Sequence, residues 1–143
     1  MKVYCDTGAY SHDLRDMERL GEIEVFQFKY ENKNKRIKNI ANLSQPTWEQ
    51  AKYSWSELGV LTWADPGRRS KKWPEITAVI GASNKTDAQH LDSAFMSECE
   101  AFLTSDKGDI VAHAEKLQTM LGMKVFHVPN QWADFVVYVR AKN

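Results

Sequence analysis

Residues 85–110, KTDAQHLDSAFMSECEAFLTSDKGDI, decide the fold. Thr86 reads as the opening of a helix that carries Asp87 in its first turn. Ala88, Leu91 and Phe95 fall on one side of that helix, with Asp87, His90 and Ala94 on a neighbouring one. A tight turn over residues 98–100 leads to an apolar strand at 101–104, which ends in an acidic, glycine-containing loop holding Asp106 and Asp109. Open α/β sheets bind their ligands in the crevice beyond the carboxyl ends of the strands. Asp6 stands immediately after another short apolar strand, residues 2–5, so Asp6, Asp87 and Asp106 are expected to converge on one sheet edge.

Outward from this stretch, strand and helix patterns alternate. Towards the carboxyl end, Val111, Ala114, Leu117 and Leu121 mark one helix stopped by Gly122, and KVFHV at 124–128 is a strand stopped by Pro129. Residues 132–139 are apolar enough for a terminal strand or for another element packed on the sheet. Towards the amino end, the β-branched run 76–80 predicts a strand. A helix over 9–20 follows from Tyr10, Leu14, Met17 and Leu20, with Gly21 as its stop. Gly8 allows a sharp turn or a close approach. Residues 24–30, EVFQFKY, suit a strand or the first turns of a helix, and Ile37, Ile40 and Ala41 place a helix over 31–43. Thr47 and Gln50 form a capping box for a helix over 48–58, and 60–64 is strand-like. The alternation predicts a central, mostly parallel sheet flanked by helices.

Composition narrows the function. The chain has 143 residues, enough for one domain with a real core, and 19 basic residues balance 19 acidic ones, so no net charge draws in nucleic acid from a distance. Cys5 and Cys99 show no disulfide or metal-site spacing, which predicts a reducing compartment. Without a long apolar run or a charged-then-apolar leader, the expectation is a cytoplasmic protein with no membrane span. Two local basic features remain. Lys29, Lys33, Lys35, Arg36 and Lys38 form either a solvated helix face or a phosphate contact. Residues 65–74, DPGRRSKKWP, flanked by Trp63 and Trp73, form either a loop suited to single-stranded nucleic acid or an exposed loop with its tryptophans tucked into the core.

The order Val3-Tyr4-Cys5-Asp6-Thr7, a Tyr-Glu pair at 30–31, Thr86-Asp87-Ala88-Gln89-His90-Leu91 and Phe102-Leu103-Thr104-Ser105-Asp106-Lys107 resembles the PIN-domain ribonucleases, the family that includes VapC-type toxins. The pattern covers most of the first 110 residues and is sharpest in its last two motifs. The resemblance implies a single PIN-like domain over 1–143, a three-layer α/β fold, and a metal-dependent endoribonuclease whose carboxylates gather around one or two Mg²⁺ or Mn²⁺ ions. It makes Asp6 the first acid, Asp87 the third and Asp106 the fourth, with Asp109 accessory, although Asp109 can also simply cap the next helix. The second acid is Glu31, with Glu49 as the fallback. The short spacing from Asp6 to Glu31 implies a trimmed first helical hairpin. It further implies an RNA substrate, a small antitoxin protein that fills the acidic site, and a homodimer.

Such chemistry suits these residue types. Mg²⁺ takes hard oxygen ligands and keeps several waters, so a few convergent carboxylates suffice. Asp6, Asp87 and Asp106 are expected to ligate directly or through water, Glu31 to position or deprotonate the attacking water, and Thr104 and Ser105 to orient carboxylates. His90 reads as a partly buried helix residue, with a role near the site as the alternative, and His12, His113 and His127 carry no pattern. Two rivals stand beside this reading. A phosphatase using Asp6 as nucleophile needs a second acid close behind it, where Thr7 and Gly8 stand instead. A catalytically inactive PIN-like module binding RNA or protein would not take up Mn²⁺.

Overall fold

The computed structural model describes residues 1–6, 8–27, 39–40, 69–81 and 83–143. Among the described residues five strands, β1 (Lys2–Cys5), β2 (Glu24–Gln27), β3 (Asn39–Ile40), β4 (Ala101–Thr104) and β5 (Lys124–His127), form one sheet in the order β3-β2-β1-β4-β5. Their pairings are parallel. The helices among the described residues are α1 (His12–Arg19), α2 (Trp73–Ile80), α3 (Lys85–Met96), α4 (Asp109–Ala112), α5 (Ala114–Leu121) and α6 (Trp132–Lys142).

Side chains along a strand alternate between faces, and this alternation separates the core into two layers. Val3, Cys5, Val25, Ala101, Leu103 and Phe126 pack with Leu14 and Met17 of α1 and Phe135 and Val139 of α6. Tyr4, Phe102 and Val125 pack on the other face with residues of α2, α3 and α5. The chain is therefore α/β, with helices on both sides of a parallel sheet. The connection β1-α1-β2 steps one way along the sheet and β4-α5-β5 steps the other. Right-handed crossovers in opposite directions put their helices on opposite faces, as seen here for α1 and α5. The direction reverses between β1 and β4, where the crevice of such a sheet opens.

The strands at 2–5, 101–104 and 124–127 lie where the sequence places them, and EVFQ resolves to strand. The helix α1 starts later than its apolar spacing indicates, because Ser11 caps it by accepting a hydrogen bond from Leu14 N at 3.3 Å; Leu14 and Met17 are buried but Leu20 is 74% exposed. Residues 76–80 are helical, contrary to the expected strand, and α2 also absorbs Trp73 and Pro74 from the expected loop. Pro74 fits a first helical turn, and Ile76 and Ile80, four apart, are both buried in the cluster shared with α3. Packing of that face outweighs the modest β preference of its branched side chains.

Asn39 and Ile40 form a strand where a helix over 31–43 was expected. The single helix expected after Asp109 is two, α4 and α5, broken at His113. Residues 132–142 are helical, with Phe135 and Val139 buried one turn apart. The expected helix over 48–58, the strand over 60–64, the basic residues from Lys29 to Lys38, and both Glu31 and Glu49 lie outside the described residues.

Candidate functional site: an acidic cleft at the sheet edge

The alternation that sorts the core also aims the acids. Asp6 follows β1 in phase with Tyr4, and Thr104 ends β4 in phase with Phe102, so both belong to the face that α3 covers. Asp6 N donates to Leu103 O at 2.9 Å, continuing the β1–β4 ladder past the end of β1. Thr104 then serves two acids, its hydroxyl donating to Asp6 Oδ2 at 3.1 Å and accepting from Asp106 N at 3.2 Å. Asp106 folds back to accept from Gly108 N at 3.1 Å, which fixes the tight loop between β4 and α4.

Asp87 arrives from the first turn of α3 and Asp109 from the first residue of α4. Gly108, not Asp109, occupies the N-cap position of α4, so Asp109 is not a cap; its Oδ2 accepts from Asn84 Nδ2 at 2.7 Å. Asp6, Asp87, Asp106 and Asp109, with Thr104, Gly108 and Ile110, line one shallow, open cleft. The crowding is electrostatic as well as geometric. Partial burial first, then the charges of Asp6, Asp106 and Asp109, push the Asp87 carboxyl above its ordinary pKa, and only His90 pulls the other way.

His90 is buried at 6% exposure and is the histidine nearest these acids among the described residues. Burial lowers its pKa below the usual imidazole value, against the pull of Asp6 and Asp87. Its Nε2 lies 3.6 Å from Asp6 Oδ1. Its Nδ1 lies 2.7 Å from the Tyr4 hydroxyl. Tyr4 did not stand out in the sequence as a site residue, and for His90 a role near the site was only the alternative to a partly buried helix position. The signals were Tyr4 two residues before Asp6 on a strand and His90 three after Asp87 on a helix, both same-face spacings.

Of the two hydroxyls expected to orient carboxylates, that of Thr104 bonds the Asp6 carboxylate and the backbone of Asp106. Ser105 contributes its backbone carbonyl, 3.2 Å from His127 Nε2, and its hydroxyl faces Gly8, where an added Cβ would stand 2.5 Å from Oγ. Gly8 thus supplies a close approach between the β1 and β4 ends. Further off, the Arg69 guanidinium stacks on Trp73 at 3.4 Å from the ring centroid, so the pairing of arginine with tryptophan is satisfied within the chain. Cys5 and Cys99 are free and buried, and burial pushes each thiol up to about 12, which disfavours the thiolate at neutral pH.

No protein-family model, curated protein or solved structure matches the chain. The site must be read from its own chemistry. Its side-chain donor set is oxygen only and includes four carboxylates; that composition fits a hard divalent cation. Among the described residues, however, no three His, Cys, Asp or Glu side chains stand close enough to hold one ion jointly. An ion here would rest on one or two carboxylates and on waters, the usual habit of Mg²⁺. Among the described residues no helix is long and apolar enough to cross a membrane.

Proposed function

We propose that the chain is a PIN-like domain that hydrolyses RNA phosphodiester bonds as a Mg²⁺- or Mn²⁺-dependent endoribonuclease. The observation that carries the reading is the convergence of Asp6, Asp87, Asp106 and Asp109, contributed by separate elements, on one cleft at the carboxyl ends of β1 and β4. A divalent ion, when bound, lowers the pKa of a coordinated water and offsets the charge that builds on phosphate oxygens. The protein's own part is to hold the acids aimed. Thr104 fixes Asp6 and the backbone of Asp106, Gly108 fixes the Asp106 side chain, and Asn84 fixes Asp109. Asp6 and Asp106, set by adjacent strand ends, would be the principal ligands, with Asp87 and Asp109 acting directly or through water. RNA is the substrate in this reading, and an antitoxin-like inhibitor and a homodimer are its expected partners.

The test is Mn²⁺ titration by calorimetry together with cleavage of a labelled RNA. Asp6→Asn and Asp106→Asn are expected to stay folded and to lose metal-dependent cleavage by about 100-fold or more, since each removes a charged ligand where even outer groups matter 10- to 100-fold. Undiminished cleavage by either purified variant overturns the assignment. A second reading, an inactive PIN-like module that binds RNA or protein, is favoured by the spread of the acids, none of which form a three-ligand set among the described residues. It requires that the wild-type chain bind no Mn²⁺ at millimolar concentration.

A further inference from the structure

Behind Asp6 stands a two-residue support that the proposed reaction does not use. Tyr4 is fully buried, with its ring stacked on Phe102 at 5.1 Å between centroids and its hydroxyl 2.7 Å from His90 Nδ1. The opposite ring nitrogen of His90, Nε2, faces Asp6 Oδ1 at 3.6 Å, while Thr104 holds Oδ2 at 3.1 Å. Each oxygen of the Asp6 carboxylate thus faces a polar atom from a different element, His90 Nε2 of α3 on one side and Thr104 Oγ1 of β4 on the other. We propose that His90, anchored by Tyr4, is a positioning residue that holds the Asp6 carboxylate in one orientation within the acidic cleft. The use of that orientation, to present Asp6 to a divalent ion and RNA, rests on the ribonuclease reading.

The chemistry of the three groups fixes the direction of the chain. An ionised carboxylate only accepts, so the nitrogen that faces it must carry the hydrogen. With Nε2 protonated, a neutral ring leaves Nδ1 as an acceptor for the Tyr4 hydroxyl proton. In a charged ring Nδ1–H would donate to the Tyr4 oxygen instead. The orientation of the imidazole is the same in both cases, so the support does not depend on the charge of His90. At 3.6 Å the contact with Asp6 is longer than a hydrogen bond, and it acts as an oriented dipole beside a carboxylate that is 18% exposed. Tyr4 matters because a buried imidazole without that anchor could rotate about its side-chain torsions and present either edge.

The decisive measurement is ¹⁵N-edited NMR of the chelator-treated full chain. Nε2 of His90 is expected to be protonated, and its resonance to move in Asp6→Asn; a bare Nε2 with the proton on Nδ1 overturns the proposal. Three variants then separate positioning from packing. Tyr4→Phe keeps the stacked ring and loses the anchor, His90→Leu loses the N–H, and His90→Gln carries an amide nitrogen near the Nε2 position. Mn²⁺ affinity is expected to fall about 10-fold in Tyr4→Phe and His90→Leu but to stay within about threefold in His90→Gln, with kcat following affinity and KM for RNA little changed. Equal losses in His90→Leu and His90→Gln, in chains with the same circular dichroism, overturn the proposal. If wild type binds no Mn²⁺, the ribonuclease reading falls, and the NMR result alone still decides whether Tyr4 and His90 hold Asp6.

Discussion

Asn84 ties Asp109 to the end of α2: its side-chain nitrogen donates at 2.7 Å to Asp109 Oδ2 and at 2.7 Å to the carbonyl of Ile80. One amide therefore joins the α2–α3 junction to the start of α4, across 25 residues of sequence, and holds Asp109, which lines the acidic cleft. Asn84→Ala removes both bonds and leaves a partly buried carboxylate without this donor. It is expected to lower stability by about 1–2 kcal/mol in urea unfolding. An unchanged denaturation midpoint would show that the junction does not depend on Asn84.

Gly8 and Ser105 are coupled by space. A Cβ at position 8 would lie 2.5 Å from Ser105 Oγ but 3.8 Å from Ser105 Cβ, so the hydroxyl is the obstruction. Gly8→Ala alone should cost about 1 kcal/mol through local overpacking. Ser105→Ala in the same chain should recover at least about 0.5 kcal/mol of that loss, the coupling expected of contacting residues. Strict additivity of the two substitutions in a double-mutant cycle would contradict the close approach.

The raised pKa of Asp87 has a definite sign in stability. Between its ordinary value of 3.8 and the raised native value, the folded state binds more protons than the unfolded one, so wild-type stability contributed by this group falls as pH rises through that window. In chelator, Asp87→Asn is expected to gain on wild type between about pH 4 and neutrality by roughly 0.5 kcal/mol, a small figure because solvent screens a part-exposed charge. Urea curves for the two proteins that stay parallel across that range would refute the shift. Saturating Mn²⁺ should reverse the comparison, because wild type then gains binding free energy that the variant lacks.

Helix α3 ends with Glu98 in the left-handed region at φ 57°, where an L side chain is strained. Cys99 N donates to Ala94 O and Glu98 N to Phe95 O, each at 3.0 Å, and Cys99 and Ala94 share the same core cluster; this is the Schellman arrangement that favours glycine at the left-handed position. The ion pair of Glu98 with Lys2 at 3.7 Å is solvent-exposed and contributes little. Glu98→Gly should therefore raise stability by about 0.5–1 kcal/mol, after the greater freedom of glycine in the unfolded chain is offset. A lower melting temperature would show that the side chain matters more than the backbone.

What the sequence determined by itself was local and periodic. The strands β1, β4 and β5, most of α3, the stop at Gly122, and the placement of Asp6 and Asp106 just past strand ends all follow from apolar spacing and turn chemistry, because each depends on which side chains of one element face one way. Residues 76–80 and 132–142 were beyond that logic. Their branched and aromatic runs suit a strand as well as a helix, and only the surfaces they pack against choose between the two. The tertiary structure also decided the company each acid keeps. Tyr4 and His90 lie 86 residues apart, and they meet because β1 sits beside β4 and α3 crosses the face that Tyr4 and Asp6 share. Neighbouring positions record periodicity, whereas strand order and crossover hand are set by the burial of both sheet faces at once, a property of the whole chain.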